Sequence, residues 1–259
     1  MISLPLVNLW DKRSLIFHFS KLEIKRRYKE SYLGFIWSAL EPLFIFILLY
    51  VVITSIREPR EENFAIYLIT GVMIYHLFTR GTLGGLTSLR GNSSILKSVH
   101  IRKELFPVVA TGAVAILMFV EVGVFLGLMP VFSFIPTWTL VFFPILIALL
   151  LFLILGVSYI LSIGNVFATD VQPIWAVFVY ALLFVSPIFW SLSYVEEGIL
   201  LEIQKINPLG QLIEIAHKLV FGQIPPVSDW LYTSAFVFGI LFIGYALFQK
   251  FEKRATEEL

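Results

Sequence analysis

The sequence contains no cysteine and few charged residues for its length of 259 residues. The absence of cysteine excludes disulfide bonds, thiolate metal sites and cysteine nucleophiles together. Only 14% of the residues are charged, whereas a soluble domain averages about 25%. Hydrophobic residues make up 58% of the chain, and the mean hydropathy is +0.88. A chain of this composition cannot cover its apolar surface in water, so the sequence predicts an integral membrane protein.

The sequence also lacks the motifs of common catalytic and nucleotide-binding sites. It contains no Gly-x-x-x-x-Gly-Lys-Ser/Thr loop, no His-Glu-x-x-His pair and no Gly-x-Ser-x-Gly turn. The four histidines, His18, His76, His100 and His217, are scattered over separate segments, and an isolated histidine is more often structural than catalytic. We therefore expect no catalytic site, no metal and no cofactor in this chain. The net charge of +1 gives no indication of nucleic-acid binding.

Six apolar runs are long enough to cross a bilayer, which takes about 20 residues in a helix. They cover residues 33–56, 64–86, 105–132, 138–167, 171–192 and 230–248. The predicted fold class is an all-α integral membrane protein with six transmembrane helices in one domain, 1–259. Within it, residues 1–33 precede the first span, 33–192 hold spans one to five, 193–229 lie between spans five and six, and 230–259 hold the last span and tail.

Lysine and arginine are distributed unequally over the segments between these runs. Cytoplasmic segments are enriched in both residues. With six spans, fifteen of the 19 Lys and Arg residues fall on the side that holds both termini and four on the other, when Arg80 is assigned to the loop after the second run. The sequence therefore predicts a multi-pass protein of the cytoplasmic (inner) membrane with both termini in the cytoplasm.

The segment before the first run predicts an amphipathic helix at the membrane surface. Apolar residues recur on one face at Leu15, Phe19 and Leu22. Basic residues recur on another: Lys21, Lys25, Arg26, Arg27 and Lys29. This pattern is typical of a helix with its apolar side at the acyl boundary and its basic side at the headgroups.

Two connections are too long to be simple turns. The predicted cytoplasmic one, residues 87–104, holds apolar and basic residues that suggest a short helix capped by Asn92 or Ser93. The predicted external one, residues 193–229, has two stretches of helical spacing broken at Asn207-Pro208. Each stretch is too short to span, so we expect a re-entrant helical hairpin in the outer leaflet.

Acidic and aromatic residues inside the runs allow more than one interpretation. Glu121 lies near the middle of the third run, and Glu41 lies two turns into the first. An acidic residue there is either a packing residue, which we favour, or part of a proton relay. Aromatic side chains in the first and fifth runs either stack on sugar rings or face lipid. Gly123 and Gly127 allow a close helix contact, although glycine is common in membrane helices.

Several segments follow one another in an order that is typical of one family. Residues 28–37 read Tyr-Lys-Glu-Ser-Tyr-Leu-Gly-Phe-Ile-Trp and are followed by Glu-Pro-Leu at 41–43. Residues 96–107, 170–189 and 207–222 and the basic tail complete the pattern. Together they cover essentially the whole chain and resemble the permeases of ABC-2 type transporters, more narrowly the exporters of polysaccharide, O-antigen or teichoic acid.

The resemblance implies a transport subunit rather than an enzyme. In that family the permease is a homodimer, with a conduit at its interface, in contact with membrane lipids. Two separate cytoplasmic ATPase subunits bind ATP and Mg²⁺, and the substrate is a lipid-linked glycan. An ABC-2 permease for a drug or small lipid is the nearer alternative. A proton-coupled secondary transporter that uses Glu121 and Asp170 is the more distant one.

The resemblance also indicates candidate residues for three functional surfaces. The expected ATPase-coupling surface comprises Lys25, Arg26, Arg27, Lys29, Asn92, Ile95, Leu96, Lys97, Val99 and Arg102. The expected aromatic translocation path comprises Trp37, Phe44, Tyr50, Trp175, Tyr180, Phe184 and Trp190. The expected external gate comprises Ile203, Asn207, Pro208 and Leu212.

Overall fold

The computed structural model describes residues 12–56, 63–98, 102–190 and 198–258, and within these ranges all regular structure is helical. The all-α prediction is therefore confirmed. The α-helices of the described residues are α1 Arg13–Tyr28, α2 Trp37–Ile56, α3 Phe64–Thr87, α4 Ser93–Ser98, α5 Leu105–Val131, α6 Phe143–Phe167, α7 Val171–Val185, α8 Ile199–Ile206, α9 Pro208–Val220 and α10 Val227–Glu257. Short 3₁₀ helices precede α2, α4 and α6, at Gly34–Ile36, Arg90–Asn92 and Trp138–Phe142.

Among the described residues, five helices are long and apolar enough to cross a membrane, which makes this a multi-pass membrane protein. They are Gly34–Ile56, Phe64–Thr87, Leu105–Val131, Trp138–Phe167 and Val227–Ala255. The first four match the predicted runs within one residue at each end. The last begins three residues earlier than predicted, at Val227. It also extends further at its C-terminal end, because the Lys, Glu and Arg residues there favour helix as much as the apolar ones do.

The fifth predicted run is shorter than expected. Its helix, α7, has 15 residues and ends at Val185 rather than at residue 192. The helix stops because Pro187 favours an extended conformation at Ser186, whose ψ is 151°. Fifteen residues span about 22 Å, less than the roughly 30 Å of a bilayer core. The count of six spans therefore stays a prediction.

Helix α3 lies at the centre of the bundle. In its most apolar stretch 94% of the residues are buried, compared with 11% in α2. It packs against α2, α5, α6, α7 and α9. Every residue from Phe64 to Phe78 is buried, so the side chains of α3 determine what lies inside the protein.

Helices α6 and α10 approach each other closely at two glycines. A Cβ atom on Gly156 would lie 2.7 Å from the Cα of Leu241, and one on Gly244 would collide with the carbonyl oxygen of Gly156. Both obstructions are backbone atoms, which cannot rotate away. By contrast, Gly123 and Gly127 have no atom within 4 Å of an added Cβ, so they make no close helix contact with the described part of the chain.

We predict that Gly156→Val lowers the thermal stability of the protein in mild detergent. The added side chain forces α6 and α10 apart, and overpacking of this kind costs about 1–3 kcal/mol. Gly123→Val is the matched control, because it places the same β-branched residue in a helix with open space around it. Equal melting temperatures for the two variants would contradict the close approach.

Candidate functional site

Four ionisable side chains meet where α2, α3 and α5 contact one another. The guanidinium of Arg80 donates from Nη1 to Glu121 Oε1 at 3.0 Å and from Nη2 to Glu41 Oε2 at 2.9 Å. His76 lies one helical turn before Arg80, with Nδ1 3.2 Å from Glu121 Oε1 and Nε2 3.4 Å from Glu41 Oε2. Two carboxylates thus share one guanidinium and one imidazole. We call these four residues the ionic cluster.

A proline supplies a further acceptor for the ionic cluster. Pro42 lies inside α2 and has no N–H, so the carbonyl oxygen four residues earlier, on Ser38, loses its helical partner. Arg80 Nη2 lies 3.5 Å from that oxygen. The guanidinium therefore faces both the side chain of Glu41 and the backbone that Pro42 leaves open.

The members of the ionic cluster differ sharply in burial. The side chains of His76, Arg80 and Glu121 are 5%, 5% and 1% exposed, whereas that of Glu41 is 57% exposed. Oε2 of Glu121 has no hydrogen-bond partner among the described residues. A charged carboxylate facing lipid is costly. The face of α2 that carries Glu41 therefore requires water or protein beside it.

Sequence reasoning found half of this cluster. Glu41 and Glu121 were identified as acids inside spans, and the packing interpretation of Glu121 agrees with its pairing. Arg80 was wrongly assigned to a loop, and His76 was wrongly treated as isolated. The available signal was their spacing of four residues on one helix, which places both side chains on the same face. Moving Arg80 into α3 lowers the larger charge count by one and leaves the asymmetry.

The structure brings part of the expected coupling surface together where α1 contacts the segment that follows α3. Arg26 donates from Nη1 to Asn92 Oδ1 at 3.3 Å and from Nη2 to the carbonyl of Gly91 at 3.4 Å. Asn92 Nδ2 donates to the carbonyl of Ser88 at 2.8 Å. The Asn92 amide thus joins α1 to the end of α3 and does not serve as a cap for α4.

The same connection is tied to α10 through a buried acid. Glu104 Oε2 accepts hydrogen bonds from Tyr245 Oη at 3.1 Å and Gln249 Nε2 at 2.9 Å, and its Oε1 lies 3.2 Å from Arg102 Nη1.

Ser20 Oγ donates to the carbonyl of Val109 at 3.0 Å, which holds α1 against α5. These bonds join α1 to α5 and, through Arg26, to the segment after α3.

The remaining coupling candidates differ in exposure. Leu96 is buried in a small apolar core with Tyr159, Val166 and Phe248, and Ile95 is half-buried. Val99 lies outside the described residues. The exposed candidates are Lys25, Arg27, Lys29, Lys97 and Arg102.

The two helices that follow α7 are joined at a capped break. Asn207 Oδ1 accepts from the N–H of Leu209 at 3.1 Å, and Pro208 occupies the first turn of α9, an arrangement that favours a helix start. Asn207 Nδ2 donates to Ser186 Oγ at 3.0 Å. The break at Asn207 is confirmed, whereas insertion of this pair into the outer leaflet stays a prediction.

Helix α9 is buried in the bundle rather than lying on its surface. Leu212 is fully buried, while Ile203 on α8 is 47% exposed. The ring of His217 stacks on that of Tyr67 at a centroid distance of 3.6 Å, and Nε2 lies 2.9 Å from the Tyr67 carbonyl oxygen. Burial lowers the pKa of His217 to about 3, although the bond to Tyr67 opposes that shift. His217 is therefore neutral.

The expected path aromatics fall into two groups. Trp37, Phe44, Tyr180 and Phe184 are exposed at 41%, 56%, 68% and 61%. Tyr50, Trp175 and Trp190 are partly buried and pack against the main apolar core. Trp175 Nε1 also donates to Thr82 Oγ1 at 3.1 Å.

Among the described residues, apolar helices long enough to span a membrane, three of them joined by the ionic cluster, define a multi-pass membrane protein. Residues 14–221 match the family model described as ABC-2 type transporter, and the chain belongs to that family.

The chain is similar over nearly its whole length to curated export proteins. It is 26% identical over 252 residues to the O-antigen export system permease protein RfbA of Myxococcus xanthus, covering 96% of this chain and 95% of that one. It is 23% identical to the protein of the same name from Klebsiella pneumoniae, covering 97% of each. It is 22% identical to the polysialic acid transport protein KpsM of Escherichia coli, covering 89% and 91%.

We predict that Arg80→Met strongly destabilises the protein in mild detergent. The substitution leaves Glu121 buried without its guanidinium, and breaking such a pair costs about 3–5 kcal/mol. Glu41→Gln should cost less, because that side chain is half-exposed. Adding Glu121→Met to Arg80→Met should restore part of the loss, since apolar side chains replace a buried pair well. A double variant less stable than Arg80→Met would contradict this account of the ionic cluster.

We predict that stability falls as the pH drops below 6.5, with His217 as one source. Below its ordinary pKa of 6.5, the unfolded histidine binds a proton that the folded one excludes down to pH 3. Each pH unit in that window costs up to about 1.4 kcal/mol. His217→Gln keeps a donor to Tyr67 and should weaken the fall in melting temperature between pH 6.5 and 5.

Glu214 has the opposite effect and serves as a control. Burial raises its pKa, Lys218 lowers it, and Asp229 raises it. The folded carboxyl therefore holds its proton to a higher pH than the unfolded one, and its contribution is lost as pH rises. Glu214→Gln should make the acid-side fall steeper. Identical pH profiles for His217→Gln and the unchanged protein would contradict the assignment.

Proposed function

We propose that this chain is the membrane-spanning permease subunit of an ATP-driven exporter of a lipid-linked polysaccharide, of the O-antigen or teichoic-acid kind. The similarity to O-antigen export permeases along 96–97% of the chain carries the proposal. The match to the family model over residues 14–221 extends from α1 to the end of α9 and is therefore not limited to a single motif.

The proposed topology places both termini in the cytoplasm of a cell whose inner membrane holds the protein. The excess of Lys and Arg on that side supports it, because positive residues are retained in cytoplasmic segments. In this orientation α1, α4 and the end of α10 face the cytoplasm, and α8 and α9 lie towards the outside.

The proposed energy source is a pair of separate cytoplasmic ATPase subunits, which bind ATP and Mg²⁺ and dock on α1 and the α3–α5 connection. The contact of Arg26 with Asn92 and the packing of Ser20 on α5 support this surface, because both join it to the spans. ATPase closure would then bias one arrangement of the helices over another.

The ionic cluster provides a route for that movement. Helix α1 leads directly into α2, which carries Glu41, whereas Arg80 and Glu121 lie on α3 and α5. The pairing of Arg80 with Glu41 is the exposed half of the cluster, and its pairing with Glu121 is the buried half. Movement of α2 would break the weaker half while the stronger half keeps α3 and α5 together.

The proposed translocation path runs along the Glu41 face of α2, at the contact with a second copy of this chain. Trp37 and Phe44 lie about one turn on either side of Glu41, and their ring centroids are 6.3 Å apart. Exposed aromatic faces can stack on sugar rings as a glycan slides past. Tyr180 and Phe184 on α7 complete the proposed path, which leaves out the aromatics packed in the core.

The alternatives receive less support. Pairing of Glu121 with Arg80 accounts for the acid that suggested proton coupling. A drug or small lipid as substrate finds no counterpart among the curated relatives named above, which are O-antigen and polysialic acid transporters.

Copurification tests the proposed function. Purification from native membranes in mild detergent should recover a cytoplasmic ATPase in a one-to-one ratio, stimulated by a lipid-linked glycan. Lys97→Glu should reduce the recovered ATPase several-fold, because it reverses a charge on the docking surface. Lys205→Glu, the same charge reversal at an exposed lysine of α8, should not. Recovery of the chain alone, active in vesicles without ATP, would overturn the proposal.

Thiol labelling tests the proposed path. The sequence has no cysteine, so an introduced cysteine is the only thiol that reacts. We predict that Phe44→Cys reacts with a water-soluble thiol reagent at least about tenfold faster than Phe119→Cys, because only a hydrated thiol ionises readily. Phe119 is 73% exposed on α5 and serves as the apolar control. Equal labelling rates would place the Glu41 face in lipid.

A further inference from the structure

A cavity of about 300 Å³ lies between α1, the segment after α3 and the start of α5. Its walls are mainly apolar and include Leu15, Phe19 and Leu22 of α1, Ile95 of α4, and Phe106 and Val109 of α5. The apolar face predicted for α1 thus lines the wall of this cavity.

The cavity is open, and apolar side chains remain exposed in it. Leu15 is 40% exposed and Leu22 is 57% exposed, although both line its wall. The cavity also lies beside the ends of two membrane-spanning helices, α3 and α5. At that level the apolar material available to cover these side chains is the acyl chain region of the bilayer.

The rim of the cavity carries one charge of each sign. Arg26 uses two guanidinium donors on uncharged acceptors at 3.3 and 3.4 Å, which leaves others for a phosphate. Glu23 also lines the cavity and makes no ion pair or hydrogen bond through its carboxylate within the described part of the chain. A cation and an anion three residues apart on one helix match a headgroup that carries both charges.

We propose that this cavity binds one phospholipid of the membrane leaflet on the side of α1, with an acyl chain in the cavity. The headgroup is of the phosphatidylethanolamine type, with its phosphate on Arg26 and its primary amine on Glu23. This site is separate from the glycan path of the proposed function. The bound lipid fills the joint between α1 and the α3–α5 connection.

The apolar wall and open mouth of the cavity favour a lipid chain as its occupant. The mouth lies beside the ends of two membrane-spanning helices, where acyl chains of the bilayer are within reach. An acyl chain in the cavity would cover the exposed parts of Leu15 and Leu22 with apolar material.

Native mass spectrometry of the full chain in mild detergent, with its copurifying partners, tests the proposal. The protein is first exchanged into nanodiscs of equal parts phosphatidylethanolamine, phosphatidylglycerol and phosphatidylcholine. We expect one phosphatidylethanolamine retained per chain. Arg26→Gln should lower its retention about tenfold, the loss expected for a charge-assisted contact. Lys21→Gln removes the same charge from another part of α1 and should leave retention unchanged.

Two further variants separate the headgroup from the acyl chain. Glu23→Gln should remove the preference for phosphatidylethanolamine over phosphatidylglycerol while a lipid is still retained. Gly91 lines the cavity, and an added Cβ there has only Arg26 Nη2 near it, at 3.6 Å. The side chain of Gly91→Phe therefore has space to enter the cavity, and it should fill it and abolish lipid retention. Gly91→Ala is its matched control and should keep the lipid. Melting temperatures identify any variant that is unfolded.

Three outcomes would overturn the proposal. The first is equal retention in Arg26→Gln, Gly91→Phe and the unchanged protein. The second is retention without headgroup preference. The third is a crosslink from Ile95→Cys to a partner protein or an isoprenoid-linked glycan instead of a phospholipid. The lipid count does not depend on export activity, so a failure of the proposed function would leave this test intact.

Discussion

The pairing of Arg80 with Glu41 and Glu121 is the interaction on which the arrangement of the first three spans depends. A membrane interior does not hydrate charge, so each ionised side chain there needs an opposite charge within hydrogen-bond reach. Arg80 meets that need for two helices at once, because its planar guanidinium presents several donors in fixed directions. The most buried helix, α3, thereby determines where α2 and α5 lie.

The ionic cluster lies on the proposed route from the ATPase-docking surface to the translocation path. At one end, α1 is bonded to the α3–α5 connection through Arg26 and to α5 through Ser20. In the middle, α2 is held to α3 by the exposed half of the ionic cluster, and α3 is held to α5 by the buried half. A helix with few buried residues that is anchored by a half-exposed ion pair can move without disrupting the core. The apolar cavity beside Arg26 lies at the same joint, which is why a lipid there would affect the stiffness of the connection.

Length and hydropathy predicted most of the fold. Four spans were located within a residue, because an uninterrupted apolar run ends where polar residues begin. The sequence also predicts the helix break at Asn207, because an Asn side chain caps a helix start and the Pro that follows has a fixed φ. The site was predicted less well. Sequence reasoning treated His76 and Arg80 separately, because their partners lie 39 to 45 residues away on other helices.

Composition and the order of local motifs suffice to identify a multi-pass helical membrane protein of the ABC-2 type transporter family, since both are properties of continuous segments. The end of α7 at Val185 is likewise local, because it follows from Pro187. Which polar residues meet and which aromatics remain exposed depend instead on how the helices pack. Apolar residues cover most of the surface of a membrane helix, whether it faces lipid or protein, so periodicity does not distinguish the two. The neighbours of a charged side chain are set by helix packing across the bundle.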